Sequence, residues 1–105
     1  MTDVLVVLCS VPCKKEARQI GTLLVEGKYA ACVSIIPAVE SIYSWEGEVQ
    51  HDDELLLVIK TSREVFPRMS EHLKAIHSYD EPEIIALPVE QGSADYVKWL
   101  KSYLS

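Results

Sequence analysis

The order of extended and helical segments in this chain predicts an α+β fold with an antiparallel sheet and its helices on one face. Three observations carry that expectation. Runs rich in Val, Ile and Leu alternate with stretches of helical period in the order β-α-β-β-α-β, followed by a last short helix. Two of the runs are joined by little more than Glu46-Gly47, a hairpin signal. The chain has 105 residues, 49% apolar and 25% charged, which is enough for one domain (1–105) around one core.

Val4-Leu5-Val6-Val7-Leu8 is continuous and rich in β-branched residues, so it reads as a strand covered on both faces, or at least a central one, ended by Ser10-Val11-Pro12. Lys14 to Glu26 places Ala17, Ile20, Leu23 and Leu24 on one helical face, with Gly27 as its stop. Ala30 to Trp45 is extended, and Pro37 marks a bulge because it cannot donate to a ladder. The return strand runs from Glu48 to Lys60. Thr61 and Glu64 then have the spacing of a capping box for a helix with Phe66, Met69, Leu73 and Ile76 inward. Pro67 belongs in the first turn of that helix. Glu83 to Val89 is the fourth strand, and Ser93 caps a helix that turns Val97, Leu100 and Leu104 inward. This is the ferredoxin-like split-βαβ order, which by itself specifies no activity.

The hairpin predicts an oligomer. A strand of about fourteen residues runs roughly 45 Å at about 3.3 Å per residue. A domain of this length has a radius of gyration of about 13 Å. The tip must therefore project, and it carries Ile42, Tyr43, Trp45 and Val49, which need a cover.

Composition excludes several classes. The net charge of −6 and the lack of a basic run argue against nucleic acid. The N-terminal apolar run is too short to span a membrane and follows no basic segment. Three cysteines without repeated spacing are not a disulfide framework, and reduced thiols with no targeting segment predict a cytoplasmic location. There is no phosphate loop, no zinc-protease helix and no nucleophile elbow, so an enzyme is not expected.

Ala30-Ala31-Cys32-Val33-Ser34-Ile35-Ile36-Pro37, followed by Ser41-Ile42-Tyr43-Ser44-Trp45-Glu46-Gly47, resembles the central signature of the CutA (divalent-cation tolerance) family. Leu57-Val58-Ile59-Lys60-Thr61 and the stretch from His77-Ser78-Tyr79-Asp80-Glu81-Pro82 to Pro88 resemble its later motifs, and Tyr96-Val97-Lys98-Trp99-Leu100 resembles its terminal helix. The resemblance covers nearly the whole chain in order. Ser78 stands where the family usually has proline, and Ile76 where some members have a second histidine. What the resemblance implies is a homotrimer paired through the long hairpins and a role in tolerance to divalent metals, copper above all, with no tightly bound cofactor.

The resemblance also carries a metal-ligand role to Cys9 and His77, and a thiolate with an imidazole suits copper or zinc. Cys13 offers a third donor across the loop. Against this stand the ordinary readings, a buried apolar thiol at Cys9 and a helix C-terminal imidazole at His77. Cys32 reads as plain core. His51-Asp52-Asp53 alternate in direction along a strand and so do not converge on one ion. A second constellation, Tyr43, Trp45, Lys60, Tyr79 and Glu83, is placed by the resemblance near clefts between subunits. A lysine with aromatic walls there suits a small anion or polar ligand, as in a PII-like signalling or ligand-sensing trimer. The ordinary reading is aromatic packing at a subunit interface.

Overall fold

In the computed structural model, which describes residues 1–105, seven elements follow one another: β1 (Val4–Val11), α1 (Lys14–Glu26), β2 (Cys32–Trp45), β3 (Glu48–Ser62), α2 (Phe66–Ile76), β4 (Ile85–Pro88) and α3 (Ala94–Leu104). The four strands form one antiparallel sheet in the order β2-β3-β1-β4. This is the predicted ferredoxin-like arrangement.

Alternation along the strands divides the sheet into two faces. Val7, Cys9 and Val11 of β1 lie opposite Ile59, Leu57 and Leu55 of β3, and all six are buried. They meet Ala17, Ile20 and Leu24 of α1 and Met69 and Leu73 of α2 in one apolar core. The other face presents a row from Ser34 through Val58 and Leu8 to Ile85, beside Leu56 and Val6. No residue of that row is buried. Helix α3 is tied to the start of β1 by Lys101 and Asp3, 3.0 Å apart, and to the end of α1 by the Tyr103 hydroxyl, which donates to the Val25 carbonyl.

The expected bulge is present. The β2–β3 register shifts between Ile36 and Val39, at Pro37. Beyond it the hairpin leaves the sheet: β1 pairs with β3 only over Leu55–Ser62, so Glu48–Glu54 has β2 as its sole partner. The molecule is accordingly drawn out to 44 × 25 × 23 Å. Glu46 and Gly47 both have positive φ, 51° and 81°, the paired left-handed conformation of a two-residue hairpin. Gly47→Val is expected to lower stability by about 1–2 kcal/mol, read from the midpoint of urea unfolding, because a β-branched residue resists that backbone.

Several local expectations are corrected. Thr61 caps nothing: β3 continues through it to Ser62, paired with Leu5 and Val4, and its hydroxyl donates to the Tyr29 carbonyl at 2.7 Å. Ser62 instead accepts from the Val65 amide. Gly27 does end α1, but the left-handed residue is Lys28, φ 59°. Gly27 is needed for space, since a Cβ there would stand 2.7 Å from the Tyr29 ring. Leu23 points outward, 42% exposed. Ser93 starts α3 without a side-chain cap, and β4 is shorter than expected, leaving Glu83 outside it. Cys32 is not core: it opens β2 opposite Lys60 on the unburied face.

Candidate functional site

Where the hairpin leaves the sheet, its inner flank and the loop after α2 enclose a cavity of about 620 Å³. The hairpin contributes Ser41, Ile42, Tyr43 and Trp45. The loop contributes Tyr79, Asp80, Glu81 and Glu83, and the strands beneath supply Ser10 and Glu54. The walls are aromatic and every charged lining residue is a carboxylate.

The loop is held by a chain of hydrogen bonds that starts at the end of α2. The His77 amide closes the helix on the Leu73 carbonyl. The Tyr79 amide donates to His77 Nδ1 at 3.0 Å, so the ring proton is on Nε2, which donates to the Ser10 carbonyl at 2.9 Å. The two rings pack with centroids 4.9 Å apart. The Tyr79 hydroxyl then donates to Glu54 Oε2 at 2.6 Å. Burial, and next this bond to a carboxylate, push the Tyr79 phenol above its usual range. The Tyr43 hydroxyl donates to Asp52, and that bond is the main cause of its own raised pKa. Glu54 is only 8% exposed, yet it lies on the same strand face as Leu56 and Val58 and lines the cavity.

The residues expected from sequence fall in three places. Tyr43, Trp45, Tyr79 and Glu83 come together in the cavity. Lys60 does not join them within the chain. It sits at the far end of β3 opposite Cys32, where Nζ donates to Ser34 Oγ at 3.1 Å. Gln50 pairs with Tyr43, so Lys60 lies about 30 Å away along the strand.

Cys9 and His77 are neighbours through Ser10, but neither presents a free donor. Both ring nitrogens of His77 are engaged. Cys9 is sealed in the core, and burial, with the negative field of Glu83, Glu16 and Glu54 behind it, pushes its thiol up to about 12. Cys13 stands exposed before α1. A brief treatment of the folded protein with a thiol reagent, followed by peptide mass spectrometry, is expected to label Cys13 and leave Cys9 unmodified until the chain is denatured. No three His, Cys, Asp or Glu side chains are grouped so as to hold a metal ion.

Sequence reading missed Ser10, Ser41, Glu54, Asp80 and Glu81. Glu54 carried a usable signal. In β3 it has the parity of Leu56 and Val58, which places it on the cavity side of the hairpin, whereas the neighbouring Asp53 faces the other way.

Comparison with known proteins places these features among relatives. The family described as "CutA1 divalent ion tolerance protein" matches residues 5–103. The "Divalent-cation tolerance protein CutA" of Thermus thermophilus is 50% identical over 96 residues, covering 91% of this chain and 93% of that protein. The "Protein CutA, chloroplastic" of Arabidopsis thaliana is 46% identical over 93% of this chain, which spans only 54% of that longer protein. Among solved structures, the Thermus thermophilus protein superimposes with a TM-score of 0.95 at 47% identity, covering 97% of this chain and 99% of that one. CutA from Xylella fastidiosa superimposes at 0.97 with 32% identity, covering 99% and 100%.

Proposed function

The chain belongs to the CutA1 divalent ion tolerance family, and from that premise we propose that it works as a cytoplasmic homotrimer that binds divalent cations, copper foremost. The observation that carries the assembly is the uncovered half of the fold. Val58, Leu8 and Ile85 are left unburied on the sheet face away from α1 and α2, and a two-stranded ribbon with Trp45 57% and Val49 68% exposed projects from its edge. An isolated two-stranded ribbon is marginal in water, and a contiguous apolar sheet face needs a partner. Other copies of the same chain meet both needs at once, through closed rotational symmetry.

Binding rather than catalysis is the activity this reading assigns. The acidic surface concentrates cations, and the cysteines, all three free, supply soft donors that suit copper and belong in a reducing compartment. Cys13 is the donor that meets the ion first. Cys9 and His77 join it only when the His77 hydrogen bonds open and the metal displaces the thiol proton. No helix is long and apolar enough to cross a membrane.

Light scattering with copper calorimetry on the reduced protein tests this. The expected result is a particle of three chains with saturable copper binding, weakened about tenfold or more by Cys13→Ser. Full retention of copper affinity in a variant lacking Cys9, Cys13 and His77 together would sink the ligand assignment, and a monomeric mass would sink the assembly.

A further inference from the structure

We infer that the cavity between the hairpin and the loop after α2 is a binding site for a linear organic diammonium ion, a ligand class distinct from the metal proposed above. Three features point to this occupant. The first is a carboxylate at the cavity wall with one uncommitted oxygen. Glu54 is more than nine-tenths buried, and its one hydrogen bond within the chain, from Tyr79, uses Oε2. The second oxygen accepts no hydrogen bond within the chain and stays open to solvent, and the residue lines the cavity. A carboxylate with one oxygen committed and one free offers an ammonium group a charge-assisted hydrogen bond.

The second feature is the walls. Tyr43, Trp45 and Tyr79 line the same space. Aromatic faces attract alkylammonium groups and tolerate methylenes, whereas they offer nothing to a hydrated metal ion.

The third is how the remaining charge is spread. Asp80, Glu81 and Glu83 line the same cavity from the loop and are exposed. No three carboxylates converge, so a bare divalent ion, which takes several oxygen ligands at once, lacks its shell. A chain with one ammonium at each end matches the pattern. Its inner end meets Glu54, its methylenes lie along the aromatic walls, and its outer end meets the loop carboxylates. His77 serves the site from behind as a positioning residue, holding Tyr79 by its amide and its ring.

The test is calorimetric titration of the intact assembled protein with putrescine, a four-carbon diammonium, beside butanediol as its uncharged counterpart. Saturable binding of one putrescine per chain is expected, weakening as salt is raised, with butanediol at least about tenfold weaker. Glu54→Gln keeps an oxygen for the Tyr79 hydroxyl and should lower putrescine affinity about tenfold or more. Trp45→Leu should weaken it as well, read on a particle whose mass by light scattering equals that of the parent. No saturation below about 10 mM, equal binding of the diol, or unchanged affinity in both variants would overturn the assignment. So would stoichiometric displacement of putrescine by copper, which would make the cavity a metal site. The copper experiment reads Cys13 and the putrescine experiment reads Glu54, so either proposal can fail alone.

Discussion

Val58→Asp is expected to reduce the mass in solution from three chains to one while leaving the far-ultraviolet circular dichroism of the chain intact. Val58 lies mid-strand in β3, between Ser34 of β2 and Leu8 of β1, on the sheet face away from α1 and α2. It is half-buried in the isolated chain, so a carboxylate there still reaches water and the helix-covered core is untouched. In a trimer closed over this face the same carboxylate would be buried against apolar neighbours, once in every subunit. The effective desolvation penalty is several kcal/mol per ion, and three such penalties exceed what a subunit interface of ordinary size tolerates. Val58→Thr, nearly the same size and uncharged, should stay trimeric with a modest loss of thermal stability. An aspartate variant that keeps three chains per particle would show that the open face is not what the subunits share.

The second large effect is alkaline. The folded chain is expected to lose stability steadily from about pH 9 upward, and Cys9→Ala is expected to remove much of that slope. Burial raises the Cys9 thiol from 9.0 to about 12. Above pH 9 the unfolded chain therefore releases this proton while the folded chain still holds it, so the unfolded state binds fewer protons and stability falls with pH. Below pH 9 both states are protonated and the contribution is complete. Across the three units between those values the loss from Cys9 alone approaches about 4 kcal/mol, at ~1.4 kcal/mol per unit. Urea unfolding at a series of pH values from 8 to about 11 reads it out. Cys9→Ala should lose about 1 kcal/mol at pH 8 through the small cavity left in the core, and then decline more gently than the parent. The Tyr79 and Tyr43 phenols are also raised and remain in the variant, so some slope persists. An unchanged slope would mean that Cys9 is not sealed from solvent in the folded state.

Much of this fold could be read from local pattern. The alternation of Leu55, Leu57 and Ile59, the period of Ala17, Ile20 and Leu24, the Glu46-Gly47 turn and the break at Pro37 are each short-range signals, because strand pleat, helix pitch and proline's missing amide act over a few residues. Helix and strand ends were less legible. Thr61 has the composition of a cap, but pairing of β1 with β3 draws it into the sheet, and that pairing joins residues more than fifty positions apart. Leu23 fits the helical period but falls on the edge of a stripe whose width only the sheet beneath determines.

The site shows the same division. Sequence by itself determined that this chain is α+β, that its hairpin outruns its sheet, and that aromatic residues on the hairpin and a tyrosine after α2 are present to be used. Only the tertiary structure decided which of them meet. It brought Glu54 under Tyr79, left Lys60 at the opposite end of β3, and closed both nitrogens of His77 with backbone partners. The physical reason is that charge and hydrogen bonding at a site depend on distances between segments remote in sequence. Those distances follow from strand register and loop closure, not from the composition of any one segment.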